Sequence, residues 1–238
     1  MRLDKYLGIT GCCSRSDAKK AIRGGKVLLN GAVASSPDLH IDPDTDEVVF
    51  CGTIVLYRKY TYIMLNKPEG YVSATEDGRD KTVLDLLPAD MKKDKLFPCG
   101  RLDKNTLGLM LITDNGDLGH RLLAPKSHVT KEYRFFSKFP IKREDAERFE
   151  KGVTLEDGYV TLPAGIELDP DGMGGIITLT EGKYHQIKRM LEALDNKITY
   201  LERIRFGALT LDPSLARGEW RYLTEKEISE LEAHGVKN

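Results

Sequence analysis

Between Tyr60 and Phe206, short strand-period and helix-period segments follow one another without a regular βαβα alternation. A parallel sheet with crossover helices needs that alternation, so the pattern predicts an α+β chain whose mixed sheet is largely antiparallel. The expected strands are Tyr60 to Leu65, Leu107 to Thr113, Lys131 to Ser137, Ala164 to Leu168, Ile176 to Thr180 and Thr199 to Phe206. Helices are expected near Thr82 to Leu87, Asp117 to Leu123, Arg143 to Lys151, Tyr184 to Leu194, and Glu225 to His234 capped by Thr224.

The first 58 residues read as a separate small unit. Ser14 is a suitable helix N-cap, Ala18, Ala21 and Ile22 share one face, and Gly24 and Gly25 can end the helix. Lys26 to Leu29 reads as a strand, and Asn30-Gly31 is a strong hairpin signal before Ala32 to Ala34. Glu47 to Phe50 and Thr53 to Leu56 complete a small sheet, and Tyr57 to Tyr60 is the connector. The expected division is therefore 1–58 and 59–238.

The 36 basic and 37 acidic residues nearly cancel over the whole chain, but local counts differ. Residues 1–30 carry Arg2, Lys5, Arg15, Lys19, Lys20, Arg23 and Lys26 against Asp4 and Asp17. The following stretch reverses the sign, with Asp38, Asp42, Asp44, Asp46 and Glu47 against Arg58. One cationic face on a small unit is an electrostatic footprint for phosphates; an ordinary solvated helix face has the same composition. With 40% hydrophobic residues and a mean hydropathy of −0.37, the chain is neither disordered, collagen-like nor coiled-coil. No apolar run reaches the roughly 20 residues that span a bilayer, and MRLDKYLGIT lacks a secretory apolar core, so a cytoplasmic protein without a membrane partner is expected. Cys12, Cys13, Cys51 and Cys99 form no CxxC pair, and neither zinc nor a disulfide is expected.

Two segments could carry chemistry. In GRLDKNTLGLMLIT, Gly100 to Thr113, Asp103 stands between a turn and a strand, where an acid is held rigidly. The same Asp could simply cap the loop. An aspartyl phosphotransferase pattern DxDxT is not met, because Asn105 replaces the second acid and no apolar strand leads into Asp103. EGKYHQIKRM, Glu181 to Met190, starts a helix whose apolar face would be Tyr184, Ile187, Met190, Leu191 and Leu194. His185 and Gln186 have supporting roles there, and Lys188 is either a surface cation or the partner of an acid elsewhere.

The order RLDKYL, SRSDA, IRGGKVLLNG and DTDEV resembles the S-four-type RNA-binding domain. The Asp103 stretch, Lys131-Glu132-Tyr133, EGKYHQIKRM, LNKPEGYV and GEWRYLT together resemble the RsuA-type pseudouridine synthases over essentially the whole chain. That resemblance implies a cofactor-free, metal-free isomerase, probed by release of tritium from uracil carbon 5. It implies Asp103 as catalytic aspartate, Tyr133 as the residue stacked on uracil and Lys188 as the cation paired with Asp103, where related families carry Arg. Arg101 would assist base extrusion, with His185, Gln186 and Arg189 also binding substrate. The compact length and the KSHVTKEY and GEWRYLT stretches suit the members that act on small-subunit 16S rRNA, as a monomer on RNA or a pre-ribosomal particle. A large-subunit 23S rRNA enzyme of the same family and a non-catalytic assembly factor are the alternatives; the intact Asp103, Tyr133 and Lys188 set argues against the latter.

Overall fold

The computed structural model describes residues 1–233 except Gly11, Asp44, Leu56, Arg58, Asp90 and Lys92. The chain divides into two compact units, Met1–Lys59 and Tyr60–Asn238.

In the first unit, helices α1 (Leu3–Ile9) and α2 (Arg15–Arg23) accompany four short strands, β1 (Val27–Leu29), β2 (Ala32–Val33), β3 (Val48–Phe50) and β4 (Thr53–Val55). The strands pair antiparallel in the order β2-β1-β3-β4. Ser14 caps α2 by accepting the Asp17 N–H, and the chain leaves through Gly25 at φ 69°. Asn30 and Gly31 both have positive φ, the twist a two-residue hairpin needs. The Asn30 side chain also donates to Asp46 and accepts the Glu47 N–H, fastening the hairpin to the chain entering β3. Helix α1 was not expected from the sequence, although Leu3, Tyr6 and Leu7 lie three and four residues apart and are all buried. Of the sequence readings, the end of the fourth strand at Leu56, the charges Asp44 and Arg58, and the end of the last helix at His234 lie outside the described residues.

The second unit contains β5 (Tyr62–Lys67), a 3-10 turn (Val83–Leu86), β6 (Phe97–Pro98), β7 (Leu107–Thr113), α3 (Gly116–Leu123), β8 (Lys131–Ser137) and α4 (Arg143–Lys151). It continues with β9 (Gly165–Leu168), β10 (Gly174–Leu179), α5 (Gln186–Glu192), β11 (Ile198–Phe206), β12 (Leu209–Thr210), β13 (Trp220–Tyr222) and α6 (Glu225–Ala233). The sheet runs β13-β5-β7-β11-β8-β10-β9, with β6 added on β7 and β12 on β11. Among the described strands only β7 and β11 pair in parallel; the others are antiparallel, so the mixed sheet of an α+β fold is present.

Strand alternation divides the core. Ile63, Leu65, Met110, Ile112 and Phe135 share one cluster with Ile187, Met190 and Leu191 of α5. Tyr62, Met64, Leu109 and Leu111 share another with α3 and α6. The parallel contact demands Gly108: at φ 97°, a Cβ there would lie 2.3 Å from the Arg203 carbonyl oxygen. Arg203 itself is fully buried. Its Nε donates to the Leu109 carbonyl at 2.8 Å, and its guanidinium lies 5.0 Å from the centre of the Phe206 ring.

Helix α5 begins at Gln186, two residues later than the sequence pattern suggests. His185 stands before it at φ 51°, so the helix cannot extend back to Tyr184. Tyr184 consequently contributes nothing to the apolar face and is 73% exposed.

Candidate active site

The loop leading into β7 is fastened at Leu102, Asp103, Lys104 and Thr106. Gly100 turns at φ 88°. Ser73 Oγ donates to the Leu102 carbonyl at 2.8 Å and accepts the Leu102 N–H at 2.9 Å. The Thr106 N–H donates to the Asp103 carbonyl, and the Gly70 N–H to that of Lys104. Beneath the loop lies Lys67, the last residue of β5, with a fully buried side chain. Its ammonium lies 2.8–3.2 Å from the carbonyl oxygens of Pro68, Asp103, Lys104 and Thr106. An ammonium has three protons, so four acceptors share them. Burial pushes Lys67 down to about 8, against the attraction of the Asp103 and Glu69 charges.

With its backbone so held, Asp103 presents a half-buried carboxylate. One oxygen meets Lys188 Nζ of α5 at 2.6 Å, and the other lies 3.5 Å from His185 Nε2. The 2.6 Å contact is a short charge-assisted hydrogen bond. Tyr133 on β8 is only 8% exposed and, with Asp103, Lys188, Arg101, Thr106 and Leu179, lines a cavity of about 440 Å³. That volume is in the range of small-ligand sites. The arrangement offers a positioned carboxylate, an aromatic side chain and cations in one concavity, which suits nucleophilic or proton-transfer chemistry.

The structure thus brings together Asp103, Tyr133, Lys188, Arg101, His185 and Gln186, drawn from three separate stretches of the sequence. Arg101 is exposed and makes no ion pair among the described residues. Gln186 is used internally: it accepts the Lys183 N–H and donates to Glu181. Arg189, expected to bind substrate, is instead paired with Asp157 at 2.5 Å and is absent from the cavity wall. The reason is helical phase, because one turn into α5 Arg189 faces the loop carrying Asp157 and not the Asp103 loop. Lys67 and Ser73 were not singled out from the sequence. Lys67 reads there as the charged start of a turn, and the only signal against that is the apolar run Tyr62 to Leu65 leading straight into it.

In the first unit the cationic residues divide. Asp4 has no exposed side chain and receives Arg2 at 3.0 Å, Arg15 at 3.2 Å and Lys19 at 3.9 Å; Arg2 also pairs with Asp38. Lys20 pairs with Asp17. Lys5, Arg23 and Lys26 are exposed and make no ion pair among the described residues. Thus Arg2, Arg15 and Lys19, which stay partly exposed, serve the fold as well as the surface. The described residues contain no group of three or more His, Cys, Asp or Glu side chains able to hold a metal, and no helix long and apolar enough to cross a membrane. The four cysteines are free.

Comparison with known proteins agrees with this geometry. Residues 61–169 match the family described as RNA pseudouridylate synthase, and residues 1–48 match the S4 domain. The chain is 47% identical over 231 residues to an uncharacterised RNA pseudouridine synthase of Bacillus subtilis (strain 168), covering 96% of this chain and 97% of that protein. It is 39% identical to ribosomal small subunit pseudouridine synthase A of Escherichia coli (strain K12), covering 96% and 99%. A crystal structure of a pseudouridylate synthase superposes with a TM-score of 0.69 at 36% identity, covering 97% of this chain and 99% of the other.

Proposed function

Because the chain belongs to the RsuA-type RNA pseudouridine synthases, with an RNA-binding domain ahead of the isomerase, we propose that it converts one uridine of small-subunit 16S rRNA to pseudouridine. Asp103 acts as the catalytic carboxylate. The reaction breaks the bond between ribose carbon 1 prime and uracil nitrogen 1, turns the uracil, and joins carbon 1 prime to carbon 5. The carbon 5 proton leaves and nitrogen 1 gains one, so atoms and electrons balance without a redox partner. Asp103 can serve by attacking ribose carbon 1 prime or uracil carbon 6, or by assisting uracil's departure, all of which need an ionised, fixed carboxylate.

The observation that carries the reading is the 2.6 Å pair between Asp103 and Lys188, in a cavity that Tyr133 also lines. Lys188 holds the carboxylate's orientation, Tyr133 stacks on the uracil, and Arg101 at the open side helps the base leave its stack. The 16S target is supported by the small-subunit relative, which this chain matches along nearly its full length.

The test is tritium release from ribosomal RNA labelled at uracil carbon 5, followed by mapping of the modified base. Wild type should release tritium from 16S rRNA and not from 23S rRNA. Asp103→Asn keeps the side chain's size and removes the nucleophile, so release should fall by roughly 10⁴-fold or more with RNA affinity retained. Residual activity within about tenfold of wild type would remove Asp103 from the chemistry.

A further inference from the structure

Tyr184 is more exposed than any other large apolar side chain among the described residues, and it lies on the wall of the cavity that holds Asp103. Its place is built by the surrounding turn. The buried Gln186 side chain accepts the Lys183 N–H at 2.9 Å and donates to Glu181 at 2.7 Å, while the Gln186 N–H donates to the Lys183 carbonyl. That latch holds His185 at φ 51°, a conformation uncommon outside glycine and found at functional sites. In this turn the rings of Tyr184 and His185 stack, with centres 3.8 Å apart and planes within 18°. His185 in turn reaches within 3.5 Å of the Asp103 carboxylate. One face of the Tyr184 ring is therefore covered by His185, and its exposure belongs to the other face and the edge.

An enzyme that draws a base out of an RNA stack leaves the neighbouring bases without one stacking partner. A flat aromatic face at the cavity rim can replace that partner. Resting on the reading that the cavity takes an extruded uridine, we infer that the free face of Tyr184 is a second base subsite, occupied by the nucleotide that flanks the target uridine in the same strand. Arg101 and Lys183, both exposed and both on the wall of the same cavity, supply cations for the phosphates on either side of that nucleotide. The subsite recognises a π face, so it accepts any base and sets affinity and extrusion more than sequence. Tyr184 touches the flanking base; it is a binding residue and takes no part in bond breaking.

Kinetics of tritium release from labelled ribosomal RNA test this, comparing wild type with Tyr184→Phe and Tyr184→Ala. Phe keeps the ring and should stay within about twofold of wild type in kcat/KM, whereas Ala should lose roughly 5- to 150-fold, the span that base-aromatic stacking implies. A short RNA containing the mapped uridine, made abasic at its 5′ or 3′ neighbour, supplies the control. On one of the two abasic RNAs wild type should drop to the level of Ala, and Ala should lose nothing further. An Ala variant within about twofold of wild type overturns the subsite. So does an Ala loss that persists in full on both abasic RNAs, which would mean that the ring acts only by supporting His185. Absence of tritium release by wild type from any ribosomal RNA overturns the proposed function and the subsite with it; activity in wild type with an unaffected Ala variant overturns the subsite alone.

Discussion

Two lysines contact Asp103 and act on different parts of it. Lys188 contacts the carboxylate, whereas Lys67 contacts the backbone carbonyls of the loop that carries it. Their removal should therefore separate. Lys188→Met leaves fold and stability close to wild type, since the side chain is partly exposed, but turnover falls steeply because the carboxylate loses its partner. Lys188→Arg keeps the charge and should retain far more activity than Met, although a planar guanidinium cannot reproduce the single ammonium contact. Lys67→Met strands buried carbonyls and should cost roughly 2–5 kcal/mol of stability in urea unfolding, with activity lost as a consequence of loop disorder. If Lys67→Met is as stable as wild type, the buried ammonium is not what holds the loop. The sequence made Lys188 visible as one of two possibilities and left Lys67 unnoticed, because burial of a lysine is a property of the strand's neighbours and not of its own segment.

At the scale of elements, α1 and α2 meet around Asp4. The Arg2 hydrogen bonds, opposed by burial and reinforced by Arg15, hold the Asp4 carboxyl down at about 2 from an ordinary 3.8. A depressed carboxyl pKa contributes stability that is complete above the unfolded value and is lost as pH falls through the folded one. Asp4→Asn should accordingly loosen α1 and α2 at neutral pH, and the gap between wild type and variant should close as pH falls from about 4 toward about 2. Amide hydrogen exchange of peptides from the first 25 residues of the full chain reads this directly; a gap independent of pH would mean that the acid contributes by shape alone. The elements that the sequence disclosed are those with local punctuation, such as the Ser14 cap, the Asn30-Gly31 hairpin and the apolar strand Leu107–Thr113. Strand β13 was missed because Trp220-Arg221-Tyr222 is short and mixed, and it exists by pairing with β5, more than 150 residues earlier. The start of α5 was misplaced for a similar reason: helix periodicity runs through Tyr184, and only the Gln186 latch shows that the backbone turns there.

At the scale of the molecule, a unit that matches the S4 domain and carries its surplus of cations in residues 1–30 precedes in sequence the unit that holds the Asp103 cavity; on the proposed function the first would supply affinity and the second chemistry. The ion pairs narrow which cations are free for RNA. Substituting Arg15 or Lys19 would weaken binding and the Asp4 cluster together, whereas Lys5, Arg23 and Lys26 are exposed and make no ion pair among the described residues. Replacing these three with Gln should weaken rRNA binding while leaving the rate at saturating RNA close to wild type. The slope of log affinity against log salt should flatten by roughly 0.7 to 0.9 for each phosphate contact removed, about two to three in all if each lysine or arginine makes one. Affinity measured across a salt series and single-turnover rates at saturating RNA separate the two quantities. An unchanged slope would mark these cations as solvated surface, and a lower saturating rate with unchanged affinity would place the first unit in the chemical step.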